Sequence, residues 1–102
     1  MTTNKTTASV YLEKKYGKMS LGDFIKALRE SDDISQSEYA LKLKISRANL
    51  CDIEKNRKLV SPERAVRFAR ILKFSEKLFI TLALEDILRQ SKLKYQVELK
   101  AS

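Results

Sequence analysis

Apolar residues recur at helical spacing in five successive stretches, and a serine stands in front of each. Ser20 precedes Leu21, Phe24, Ile25 and Leu28, an i, i+3, i+4, i+7 stripe that one face of a helix would bury. Asp23, three residues after Ser20, gives a weak form of the capping box. Ser35 with Glu38 is the full box, and Ile34 is placed to staple onto Tyr39. Ser46 precedes a third stretch carrying Leu50 and Ile53. Ser61-Pro62 is a strong start signal, because proline at the first helical position lacks only an amide hydrogen that would go unpaired anyway. That fourth stretch carries Ala65, Phe68, Ala69 and Leu72. Ser75 opens a fifth, running to about Leu93. The pattern predicts an all-α fold of five helices.

The fifth stretch differs from the others. Leu78, Phe79, Ile80, Leu82, Ala83, Leu84, Ile87 and Leu88 cover more of the circumference than one stripe. Such a helix must be covered on more than one side. A homodimer interface through Phe79, Leu82, Ala83 and Ile87 is the expectation, a broad core face the alternative. Beyond it, Lys94–Leu99 alternates polar and apolar, the period of a half-buried strand. A lone strand leaves its backbone unpaired. Tyr95, Val97 and Leu99 are therefore expected to pair with a second subunit, the Val10 region or another protein, unless the tail is unstructured. Met1–Ala8 has no periodicity and reads as a disordered arm, and Ser9–Tyr16 is too short to decide. The expected organisation is an arm over 1–18, a domain over 19–74, and a dimerisation helix with a C-terminal strand over 75–102.

Composition narrows the chemistry. The 102 residues suffice for one ordinary domain, and two glycines with one proline argue against a turn-rich β-fold. There is no histidine, and Cys51 stands alone. Structural zinc and every histidine-dependent nucleophilic mechanism are thereby excluded. No cofactor is expected. A single cysteine forms no internal disulfide and fits a reducing cytoplasm. The N-terminus lacks the apolar core of a signal peptide, and Leu78–Leu88 is too short and too charged to span a membrane.

The net charge of +8 points to a polyanion, and its distribution sharpens the point. Residues 40–74 hold ten basic and three acidic side chains, a net of +7, whereas residues 1–39 are neutral. That third of the chain also holds most of a recognisable unit. Two short helical stretches, about Gln36–Leu43 and Arg47–Lys55, are joined by Lys44-Ile45-Ser46. Tyr39, Ala40, Leu43, Ile45, Leu50 and Ile53 are spaced to pack the pair as a helix-turn-helix over 36–55, in which the second helix enters a DNA major groove.

Here the chain resembles the Xre/Cro type of helix-turn-helix, the lambda-repressor-like family. The resemblance covers about residues 21–74. It rests on Leu28-Arg29, Ser35-Gln36, Ala40, Leu43, Ile45-Ser46-Arg47, Leu50, Ile53-Glu54, Asn56-Arg57, Ser61-Pro62, Ala65, Ala69 and Leu72. It implies a five-helix domain whose dimers bind near-palindromic operators, and a structural pair between Glu54 and Arg29. Two glycines usual in the family are replaced, by Lys44 in the turn and by Asn56 after the recognition helix. Asparagine accepts the left-handed conformation fairly well; lysine does so at a cost on the order of 1 kcal/mol.

Position then suggests roles. Arg47, Ala48 and Asn49 open the recognition helix, where side chains meet base edges. Arg47 suits guanine, Asn49 adenine and Ala48 a thymine methyl. Asp52 would accept from cytosine N4 or orient Arg47. Gln36 would meet a phosphate at a helix N-terminus through its side chain and backbone amide, and Lys55, Asn56, Arg57, Lys58 and Arg64 would meet others. Arg67 and Arg70 are better read as a solvated face, and Cys51 as a small packing residue. Carboxylates at Glu30, Asp32 and Asp33, and at Glu85 and Asp86, come without a nucleophile–base pair or phosphate loop, so an enzyme is not expected. The expected function is a homodimeric DNA-binding repressor, most simply the antitoxin of a type II toxin–antitoxin module with a cognate toxin as second partner. A free-standing or phage-type repressor is the alternative.

Overall fold

A computed structural model describes residues 19–92 and 97–100. Within them run five helices: α1 Leu21–Ser31, α2 Gln36–Leu43, α3 Arg47–Glu54, α4 Pro62–Leu72 and α5 Glu76–Gln90. The expected arm over 1–18 lies outside the described residues, as does Tyr95. Each helix begins where its serine stands. The Oγ atoms of Ser20, Ser35, Ser46, Ser61 and Ser75 accept hydrogen bonds from the amides of Asp23, Glu38, Asn49, Arg64 and Leu78. Each such cap is worth about 1 kcal/mol. The reciprocal half of the Ser35–Glu38 box is not made; only the serine side of it forms.

The helices also end alike. Asp33, Lys44, Asn56 and Lys73 follow α1 to α4 with φ of 56°, 62°, 62° and 59°. The amide after each reaches back five residues, Ile34 to Arg29, Ile45 to Ala40, Arg57 to Asp52 and Phe74 to Ala69. This is the long bond of a Schellman stop, which satisfies carbonyls the helix cannot. After three of these reversals the next residue is apolar. Ile34 and Ile45 pack onto the core. Phe74 sets its ring edge-on to Phe24 at 5.6 Å.

The core gathers Leu21, Phe24 and Ile25 of α1, Tyr39, Ala40 and Leu43 of α2, Leu50 and Ile53 of α3, Val60, Ala65, Phe68 and Ala69 around α4, and Phe79 and Ala83 of α5. Helices α1 and α3 approach closely at Gly22. A Cβ on Gly22 would stand 2.0 Å from the Ile53 carbonyl oxygen, so only glycine fits. Asn56 seals the same seam. Its Oδ1 accepts from Ser20 Oγ at 2.6 Å and its Nδ2 donates to Asp23 at 2.9 Å. From the far side Asp86 of α5 accepts the Leu21 amide at 2.9 Å, adding a carboxylate to a helix N-terminus.

Two expectations for the C-terminal third change. Phe79 and Ala83, expected in a subunit interface, are fully enclosed in the core of the chain itself. They share one side of α5, and that side faces α1 and α4. Leu82 is half-buried against the same core, and Ile87 is exposed. No strand forms among the described residues. Val97 and Leu99, expected in one, lie half-buried, and the Val97 amide donates to the Glu85 carboxylate at 3.1 Å. A ladder needs a neighbouring strand edge, and the described residues, all helix and loop, offer none. No helix among the described residues is long and apolar enough to cross a membrane.

Candidate nucleic-acid interface

Helices α2 and α3 meet across the three-residue turn Lys44-Ile45-Ser46. Left-handed Lys44 reverses the chain, Ile45 tucks under it, and Ser46 caps α3. Leu50 and Ile53 are fully buried and fix which side of α3 faces in. Helical spacing then puts Ala48, Asp52 and Lys55 on the opposite side, with Cys51 beside them and Arg47, three residues before Leu50, on the flank at the open N-terminal end. Arg47 and Ala48 are exposed, and Arg47 makes no hydrogen bond or ion pair among the described residues. A free guanidinium beside a methyl group, at a helix N-terminus, suits base edges in a groove.

Behind this face sits a buried acid. Glu54 accepts two bonds from Arg29, Nε to Oε2 at 2.8 Å and Nη2 to Oε1 at 3.0 Å, as the resemblance implied. It accepts a third from Gln36 Nε2 at 2.9 Å. Arg29 also donates to the Ile34 carbonyl at 2.9 Å. Burial by itself would push the Glu54 carboxyl up; the bonds from Arg29 and Gln36 outweigh it and hold the group below its ordinary value. The cluster ties α1, α2 and α3 together. It also engages the Gln36 side chain, while the Gln36 backbone amide, at the first position of α2, has no acceptor within the helix.

Other assigned residues are redistributed. Asp52 does not orient Arg47. It pairs with Arg57 at 2.9 Å and Lys58 at 3.8 Å. Asn56, expected at a phosphate, has its side chain engaged by Ser20 and Asp23 and braces the α1–α3 seam. Asn49 is half-buried and its Oδ1 is shielded without a donor, so its amide is not presented for bidentate reading of adenine as the side chain stands. Arg64 lays its guanidinium over the Phe68 ring at 5.4 Å and lines a small cleft with Lys44 and Arg67. Arg70 pairs with Glu76. Lys55 is exposed. Cys51 is half-exposed on the outer side of α3, with Arg57 Nη2 at 3.9 Å from its sulfur, and is not a core packing residue.

Sequence reasoning missed Gly22, the Gln36–Glu54 bond and the Asn56 brace. Gly22 carried a usable signal, since an isolated glycine inside a helical stripe marks close backbone approach or a functional need. The two side-chain ties carried none, because they join residues far apart in the chain.

A capped recognition helix, followed by a basic loop and set across a left-handed turn from its support helix, defines a DNA-binding domain of the helix-turn-helix class, the kind that transcription regulators use. A family model described as helix-turn-helix (HTH_3) matches residues 25–79, more than half of the chain. The chain belongs to this Xre-type, lambda-repressor-like family, which is one of DNA-binding regulators and not of enzymes. Neither a search of curated proteins nor one of solved structures found a match.

Proposed function

We propose that the protein is a sequence-specific repressor that binds a near-palindromic operator as a homodimer and serves as the antitoxin of a type II toxin–antitoxin module. The observation that carries base reading is exposed Arg47 at the N-terminus of α3, without a hydrogen bond or ion pair among the described residues, beside exposed Ala48. Arg47 and Ala48 read bases directly, with Asp52 one turn further on. The Gln36 amide, Lys55, Arg57, Lys58 and Arg64 hold phosphates. Two-fold symmetry would then set two recognition helices one helical turn apart on the duplex.

The toxin-partner reading draws on apolar side chains of α5 that the core does not take, Ile87 above all. A free-standing or phage-type repressor is the competing reading. An adjacent short gene whose product is toxic alone favours the antitoxin, and its absence favours the competitor.

Selection of bound duplexes from a random pool at fixed salt tests the proposal. A palindromic consensus with half-sites about 34–36 Å apart is the expected result. Recovery of unenriched sequence would remove the repressor reading altogether.

A further inference from the structure

We infer that Asp52 is an electrostatic latch that couples base reading to phosphate binding, an inference that rests on the DNA-binding reading above. Asp52 lies on the outward side of α3, one turn beyond Arg47 and Ala48. Its carboxylate holds the two cations of the following loop. Arg57 Nε and Nη2 both meet Oδ1 at 2.9 Å, and Lys58 Nζ meets Oδ2 at 3.8 Å. The Asp52 carbonyl oxygen accepts the amides of the same two residues at 2.8 and 3.3 Å. Left-handed Asn56 makes that fold-back possible. The loop is thus clasped by one residue through both its main chain and its side chain. Arg47, by contrast, has no ion pair among the described residues, and Lys55 is exposed.

A carboxylate in a groove between two rows of phosphates is repelled unless a base donates to it. The donors available are the amino groups of cytosine and adenine. Against a sequence without such a group at the right step, Asp52 keeps Arg57 and Lys58, and both cations are partly neutralised. Against a sequence that has it, the base takes the carboxylate and both cations are released to the backbone. The exposures suit a reversible latch. Arg57 and Lys58 are 57% and 59% exposed and Asp52 27%, and ion pairs that open to water are weak. Asp52 therefore acts twice: it reads a base, and it positions two phosphate-binding groups according to what it reads.

Affinity measured against salt tests this. Each phosphate neutralised adds close to one unit to the slope of log affinity on log salt. The selected operator and a random duplex of equal length are titrated with wild type, Asp52→Asn, the pair Arg57→Gln/Lys58→Gln, and the triple variant. For wild type, the slope on random DNA should be shallower than on operator by about two units. Asp52→Asn should bind random DNA roughly tenfold more tightly and take on the steeper slope there. In the Arg57→Gln/Lys58→Gln background the same substitution should leave the slope unchanged, as a double-mutant cycle requires of a group acting through its partners.

Equal tightening in both backgrounds would overturn the latch and leave Asp52 as a plain repulsive charge. Weaker operator binding with random DNA unaffected would also overturn it, reducing Asp52 to an ordinary base contact. If wild type does not distinguish operator from random DNA, base reading itself fails and the latch with it. If it does distinguish them with equal slopes, the latch alone fails. Asn keeps the carbonyl that clasps the loop, so the fold should survive, and thermal melts check that it does.

Discussion

At the scale of single residues, the molecule separates side chains that hold the fold from side chains left free to meet DNA. Gly22 is the extreme of the first kind. A methyl group there would enter the Ile53 carbonyl, and backbone cannot step aside as a flexible side chain can. Gly22→Ala should lower unfolding free energy by about 3 kcal/mol, the upper end of overpacking costs, despite alanine's better helix propensity. Urea titration measures this, and a neutral outcome would mean that α1 and α3 are not in contact there. Arg47 is the extreme of the second kind. Arg47→Ala should leave stability unchanged, weaken operator binding by about 1–3 kcal/mol and relax preference at one base position. Lys58→Ala should lower affinity without changing preference at any single base position, and should cost the operator more than random DNA, where Asp52 already holds the lysine. Binding assays on the operator and its single-base variants separate the two, and equal effects on operator and random duplexes would remove Arg47 from base reading.

At the scale of elements, the helix starts were legible because capping is local. A serine and the amide three residues on lie within one turn, so Ser20, Ser35, Ser46, Ser61 and Ser75 marked their helices from the sequence alone. The left-handed stops at Lys44 and Asn56 were legible through the resemblance, as places where the family's glycine is replaced. Lys44 holds φ 62° and Lys73 φ 59°, a conformation costing about 1–2 kcal/mol for a residue with a Cβ. Lys44→Gly should therefore raise stability, by about 1 kcal/mol once glycine's freedom in the unfolded chain is deducted. Thermal melting at constant pH checks it; a lower melting temperature would show that the lysine side chain contributes something there that the backbone strain conceals.

Of the ties between elements, the Glu54–Arg29 pair was legible through the family resemblance, whereas the Gln36–Glu54 and Asp86–Leu21 bonds were not; together they carry the pH dependence. Glu54 lies buried with Arg29 and Gln36, and its folded pKa is depressed. Its contribution is present above the ordinary glutamate range and is lost as pH falls through the folded value. Asp86 runs the other way. Burial raises its pKa, although it accepts from Leu21 and pairs with Arg89. Its contribution is present below the ordinary aspartate range and is lost as pH rises through the folded value. Glu54→Gln should thus flatten the acid limb of the stability profile, and Asp86→Asn should remove a loss on its neutral side. Urea midpoints from about pH 3 to about pH 7 test both signs. Matching profiles for the two variants would contradict the opposed environments of the two acids.

At the scale of the whole molecule, α5 shows why periodicity alone could not assign a partner. Its apolar residues divide into two stripes. Phe79 and Ala83, with Leu82 beside them, face the domain, while Ile80, Leu84, Ile87 and Leu88 recur at i, i+4, i+7 and i+8 on the neighbouring side. In the sequence the two stripes run together, so the surplus of apolar positions was visible but not which of them the core would take. The homodimer proposal now concerns the second stripe, where Ile87 is exposed and the other three are only half-buried. Ile87→Glu and Leu84→Glu, one turn apart, put charge into that stripe and leave the Phe79–Ala83 side intact. Both should keep the melting transition and shift sedimentation equilibrium from dimer to monomer. Operator affinity should fall steeply while binding to a single half-site persists, because each recognition helix is unaltered and only their linkage is lost. A wild-type chain that sediments as a monomer at tens of micromolar would count against self-association, and would leave the stripe as a surface for a different protein.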